Sequence, residues 1–198
     1  MNFMQLVTAN NLGYSINEKR LFHNLSFSLN SGSGLHIKGG NGSGKSTLLR
    51  IILGLSSPSK GGVEYCKPNL QVSYLGHKNA IKHYLTPMQN LELMFRSSAL
   101  QNAMKWMNTL GLHKVQDELT ANLSFGQQKK LALIRIFASE SDLIILDEPF
   151  VGLDNAARDL LNEFLQKKLA SDTSLILTSH IEPNILCSEI VLSGDRDD

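Results

Sequence analysis

The chain has 198 residues, of which 42% are hydrophobic, and a formal net charge of +1. That is enough chain for one domain with a sizeable core, here expected to span 1–198. A near-neutral balance gives no electrostatic footprint for nucleic acid. The two cysteines, Cys66 and Cys187, lie far apart; they imply neither a disulfide framework nor a zinc site, and free thiols fit a reducing compartment.

The opening "MNFMQLVTANNLGY" has no basic stretch followed by an apolar core, so no secretory leader is expected. Further on, Phe27 and Leu29 alternate with polar residues, and a Gly/Ser turn leads into a strand expected over 35–38. A helix is expected over 45–53, stopping near Gly54. Two short strands are expected in "GGVEYC" and "LQVSYL", on either side of the turn "KPN".

The middle of the chain changes character. Thr86, Pro87 and Gln89 form a capping box with proline at the first helical position, opening a helix to about residue 95. Ala99, Ala103, Met104, Trp106, Met107 and Leu110 then recur at helical spacing, and Gly111 stops the run. This stripe reads as core packing rather than a cofactor box. Another helix is expected after Ser124, to about 139. Residues 78–140 therefore read as a mostly helical insert between β-rich parts.

Beyond it the chain alternates. A strand is expected over 143–146, a helix over 156–168, a strand over 175–178, a short helix near Glu182 and a strand over 190–192. Such alternation predicts an α/β fold with a parallel sheet. The apolar run "LIIL" at 143–146 is far short of the ~20 residues of a membrane helix, so no direct span is expected.

Three places carry chemistry. "GGNGSGKST" over 39–47 fits G-x-x-x-x-G-K-[ST] and sits between an apolar strand and an apolar helix. Glycines in such a loop let backbone N–H groups of Gly39, Gly40, Asn41, Gly42, Ser43, Gly44 and Thr47 converge on phosphate oxygens, and the helix adds its positive end. Lys45 is expected to reach the β- and γ-phosphates of ATP, and the Ser46 hydroxyl to bind Mg²⁺. In "LIILDEP", Asp147 ends a buried strand and is expected to hold the same ion through water. Glu148 follows and is assigned as the base that polarises the attacking water. His180, closing "LILTSH", is expected either to hydrogen-bond a γ-phosphate or to hold that water.

"LSFGQ" starts a helix by itself: Ser124 as N-cap and Gln127 three residues on make a capping box. Yet the ordered set of the 39–47 loop, "LSFGQ", "LDEP", "GLD" and "TSH" resembles the ATP-binding cassette (ABC) ATPases along nearly the whole chain. The resemblance implies a P-loop fold of ABC type. Its parallel-sheet core would carry an N-terminal antiparallel β part and the helical subdomain at about 78–140. It also implies a head-to-tail dimer, in which Ser124, Phe125, Gly126 and Gln127 face the nucleotide held by a second copy. Asp154 would communicate across that interface, and is a natural N-cap.

Phe125 stands where the family usually has glycine, so its ring must point away from the phosphate or into the interface. His77, in "YLGH", takes the place of a glutamine that senses Mg²⁺ and the membrane partner; it keeps a route to the metal-bound water. Tyr14 is the nearby candidate for adenine stacking, two residues before the usual position at Ile16.

Within the family, the short cassette, the non-glycine signature residue and the run "GHKNAIKHYLTPMQNL" resemble the CcmA branch. These are the ATP-binding subunits of haem export in bacterial cytochrome c maturation. Ala80 and Gln89 stand where that branch has Gly and Glu. This resemblance implies a peripheral subunit on the cytoplasmic face of the inner membrane, with membrane partners resembling CcmB, CcmC and CcmD. A transporter ATPase with another cargo, or a soluble ABC ATPase, are the other readings of the same motifs.

Overall fold

A computed structural model of the chain describes residues 4–16 and 19–193. Its elements run β1 (Gln5–Ile16), β2 (Lys19–Asn30), β3 (Gly34–Gly39), α1 (Lys45–Ile52), β4 (Lys60–Tyr65) and β5 (Val72–Leu75). There follow α2 (Pro87–Met94), α3 (Ser97–Thr109), α4 (Phe125–Ala138), β6 (Leu143–Asp147), α5 (Asn155–Ala170), β7 (Ser174–Thr178) and β8 (Ser188–Leu192).

The strands divide into two sheets. An antiparallel sheet has the order β2-β1-β4, and a second sheet has the order β5-β6-β7-β3-β8, with every pair parallel. Both β6 and β7 are buried at every position. Continuous apolar runs such as "LIIL" are what a parallel sheet covered on both faces requires. Alternation then sends Ile144 and Leu146 to one side and Leu143 and Ile145 to the other. The first pair joins a core built on α3, α4 and α5. The second joins a core built on α1 and the antiparallel sheet.

"GGVEYC" and "LQVSYL" do form strands, but in different sheets: β4 pairs with β1, while β5 pairs with β6. The expected helix near Glu182 is absent. Ser179 Oγ accepts the Ile181 N–H at 3.0 Å and donates to the Ile181 carbonyl at 2.6 Å. That tight turn, followed by Pro183, takes the backbone groups a helix would need.

Local signals place the helical part. At α2, Thr86 Oγ accepts the Gln89 N–H at 3.2 Å and Gln89 Oε1 accepts the Thr86 N–H at 3.0 Å. Gln89 thus does the capping work of a glutamate. Trp106 stacks on Phe137 with centroids 4.5 Å apart and meets Phe164 edge-on at 5.8 Å, tying α3 to α4 and α5. Ala103 and Met107 are buried as the stripe predicts, whereas Met104 faces outward. Fully buried Asn90 spends its amide on the Lys82 N–H and carbonyl, the Thr86 carbonyl and the Thr120 hydroxyl, which pins the 82–90 segment.

Because β3, β5, β6 and β7 run parallel, their carboxyl ends open on one edge. Gly39, Asp147 and Thr178 end their strands there, and His77 follows the end of β5. Ligands of open α/β sheets bind at this edge.

Candidate active site

A cleft of about 520 Å³ lies at that edge, lined by residues 40–47 together with His77, Asp147, Glu148, Val151 and His180. Its floor is the turn from β3 into α1. Gly44 precedes the helix at φ 98°, and no side chain caps the first turn of α1, so the leading N–H groups are left for an anion. A side chain at Gly44 would press on Leu21 and Phe22 at 3.2 Å. Cβ atoms placed on Gly40 and Gly42 would meet nothing, and the buried Ser43 hydroxyl has no hydrogen-bond partner. A hollow ringed by N–H groups, with an orphaned hydroxyl, fits a polyphosphate. Lys45 Nζ donates to the Gly39 and Gly40 carbonyls at 2.8 and 3.1 Å, which holds the loop in this shape.

The wall facing the loop is acidic. Asp147 is 2% exposed, and its Oδ1 accepts the Thr178 hydroxyl at 2.7 Å, which orients the carboxylate and leaves Oδ2 for another donor. With the Ser46 hydroxyl this is an all-oxygen donor set, which fits Mg²⁺. Glu148 adopts φ 50°, a left-handed conformation that costs roughly 1–2 kcal/mol outside glycine. Its N–H is held by the Thr178 carbonyl and hydroxyl, both at 3.1 Å. The strained turn swings the side chain toward His180, whose N–H donates to Glu148 Oε2 at 3.1 Å. Oε1 is buried without a hydrogen bond.

His180 is the meeting point. Its Nε2 lies 3.2 Å from Asn41 Oδ1, 3.4 Å from Lys45 Nζ and 3.5 Å from Glu148 Oε1. One ring nitrogen therefore touches the phosphate loop, its lysine and the acid, and it can donate to either oxygen or accept from the ammonium according to its tautomer.

The wider surroundings hold residues that sequence reasoning did not single out. Lys129 on α4 is 3% exposed. Burial pushes its pKa down, against the pull of the Asp147 and Glu148 carboxylates. Nothing in a helical lysine announces burial. Arg135, one helical face further along, donates to the Tyr74 carbonyl at 3.0 Å and so braces the end of β5 before His77. Burial lowers its pKa and raises that of Tyr74.

Tyr14 does not line the cleft. Its ring stacks on Phe22 at 6.3 Å, because bulges in β1 shift the register on both sides of Leu12. Ile16 and Leu21 form that part of the wall instead.

Ser124, Phe125, Gly126 and Gln127 are also absent from the cleft lining. The capping box forms as read: Gln127 N–H donates to Ser124 Oγ at 3.3 Å and Ser124 N–H donates to Gln127 Oε1 at 2.9 Å. Phe125 stands 59% exposed with its ring on Gly152. Asp154 caps α5 by accepting the Ala157 N–H at 2.9 Å and pairs with Lys130; the ammonium and that N–H hold its carboxyl below the usual range.

Residues 22–151 match the family model described as ABC transporter. The "Cytochrome c biogenesis ATP-binding export protein CcmA" of Idiomarina loihiensis is 40% identical over 81% of this chain and 78% of its own length. The protein of the same name from Escherichia coli is 35% identical over 94% and 95%. The chain belongs to the CcmA branch of the ABC transporter family. As a CcmA-family member it is an ATP-hydrolysing transporter subunit. Solved structures agree on the fold. One described as the ATP-binding subunit of an ABC transporter superposes with a TM-score of 0.84 at 23% identity, covering 96% of this chain and 86% of that one. A bacterial ABC transporter cassette solved as a dimer gives 0.82 at 22% identity, covering 96% and 95%. Among the described residues, no helix is long and apolar enough to cross a membrane.

Proposed function

We propose that this CcmA-family chain powers haem export or delivery for c-type cytochrome biogenesis, working as a head-to-tail dimer on membrane subunits resembling CcmB, CcmC and CcmD. It would sit at the cytoplasmic face of a bacterial inner membrane. Residues 1–198 would form one nucleotide-binding domain, with its helical subdomain at about 78–140. The observation that carries the reading is the convergence of Asn41, Lys45, Glu148 and His180 around one imidazole nitrogen, at the mouth of a loop with uncapped N–H groups. What supports the cargo is the name its relatives share.

In this reading the 39–47 loop cradles the phosphates of ATP, and Lys45 exchanges the Gly39 and Gly40 carbonyls for β- and γ-phosphate oxygens. Ser46 and Asp147 would hold Mg²⁺, with His77 in reach of its water; when bound, the ion supplies neutralisation of the phosphate charge. Glu148 orients a water and draws off its proton as the water oxygen attacks the γ-phosphorus. His180 steadies either the γ-phosphate or that water, and the products are ADP and phosphate. Ser124 to Gln127 complete the site of the second copy with the start of α4, and Asp154 lies at the same interface.

The test is genetic. Deletion of the gene removes haem-stainable c-type cytochromes, the wild-type chain restores them, and Glu148→Gln does not. Normal cytochromes in the deletion strain would end the haem assignment while leaving the ATPase intact.

A further inference from the structure

The sequence leaves the ring of Phe125 without a place, and the fold supplies one. The turn after β6 is fixed at both ends by buried side chains, Phe150 at 1% and Leu153 at 4% exposure. Between them Val151 lines the nucleotide cleft, and Gly152 turns the chain at φ 81°. Phe125 lays its ring edge on Gly152, where any Cβ would overlap the ring. The neighbouring Gly126 is equally tight: a Cβ there would stand 2.8 Å from the Gly152 carbonyl oxygen. The first turn of α4 and the 150–154 turn are therefore in direct contact, backbone on one side and an aromatic ring on the other. A second tie lies further along, where the Lys130 ammonium pairs with Asp154, the residue that caps α5.

A ring edge seated directly on a glycine leaves the two backbones no room to move closer, because non-bonded atoms already in contact resist further approach. One end of the 150–154 turn adjoins Glu148 and the chain's own nucleotide cleft. The other end leads through Asp154 into α5, and the start of α4 rests on Gly152 between them. We propose that Phe125 is a positioning residue: through Gly152 it ties Ser124 to the 150–154 turn, so that nucleotide in the chain's own cleft improves the placing of the start of α4 for the second copy's nucleotide. Glycine, the residue usual at this place in the family, leaves that link out. The proposal rests on the paired-site reading above.

A double-mutant cycle on the full chain tests it, with Phe125→Ala, Gly152→Ala and the pair, read by kcat, KM and the Hill coefficient for ATP hydrolysis. Gly152→Ala drives a methyl into the ring and is expected to cut kcat about tenfold, with Phe125→Ala in the same chain recovering about fivefold of it. Phe125→Ala alone is expected to drop the Hill coefficient to one while KM stays within about twofold. Additive effects on kcat, or an unchanged Hill coefficient in Phe125→Ala, would overturn the link. Should Gly152→Ala fail to fold by circular dichroism, the Hill coefficient of Phe125→Ala decides alone. Ser124→Arg separates the two claims. If it leaves hydrolysis intact, the paired site is wrong; if it abolishes hydrolysis while the cycle is additive, only the Phe125 link is wrong.

Discussion

Glu148→Gln probes the chemistry with little disturbance of the structure. The amide oxygen of glutamine still accepts the His180 N–H that Glu148 Oε2 accepts at 3.1 Å. The backbone bonds from Glu148 N–H to Thr178 are untouched. On the other side Oε1 is buried without a donor, and an amide nitrogen there would point toward His180 Nε2, now 3.5 Å away. Stability should therefore move by no more than about 1 kcal/mol. What is lost is the ability to take a proton. A positioned general base contributes about 10²–10⁴ in rate, or about 3–5 kcal/mol of barrier. Phosphate release at saturating Mg-ATP is expected to fall at least about a hundredfold, while ATP affinity holds and gel filtration shows an ATP-dependent dimer. Turnover within about threefold of wild type would mean that Glu148 is not the base, whatever its geometry.

Burial pushes the Cys187 thiol up to about 11 from its ordinary 9.0, with Glu182 and Glu189 adding repulsion, whereas Cys66 is exposed. At pH 8 about one Cys187 in a thousand is thiolate, so iodoacetamide should label Cys66 first by mass spectrometry, and equal rates would contradict the burial. Since the unfolded thiol ionises first, stability from this group is complete below pH 9 and is lost as pH climbs towards 11. Trp106→Ala removes a ring stacked on Phe137 with centroids 4.5 Å apart; the expected cost is about 3 kcal/mol, or about 6–12 °C in Tm by scanning calorimetry. A loss under about 1 kcal/mol would show that α3 is not held by this ring.

The parts of the fold that could be read from sequence are those whose cause is local. The apolar strand, glycine loop and helix over 34–52 announce themselves in consecutive residues. So do both capping boxes, whose partners are three residues apart. What could not be read depends on chain-distant contacts. The full run of β1 hides because its bulges, with Asn11 at φ 49°, break the alternation that marks a strand. The same bulges carry Tyr14 away from the cleft. Lys129 is buried by the packing of α4 on the sheet, and a lysine's own chemistry predicts the opposite. The seat of Phe125 is a glycine on a different turn, so no spacing rule links the two. The cleft's charged groups were legible because strand ends in a parallel sheet must gather on one edge; their hydrogen bonds to Thr178 and Asn41 were not.

The central claim is that each nucleotide site needs two chains, and mixing two inactive variants tests it most directly. Lys45→Ala disables the phosphate loop, and Ser124→Arg disables the start of α4. In a mixed dimer of a two-fold symmetric pair, one site carries both defects and the other carries neither. With random pairing, half the dimers are mixed and half their sites intact, so the mixture should recover up to about a quarter of wild-type hydrolysis. If the two inactive chains stay inactive together while each still binds ATP or dimerises as wild type does, each chain completes its own site and the account is wrong.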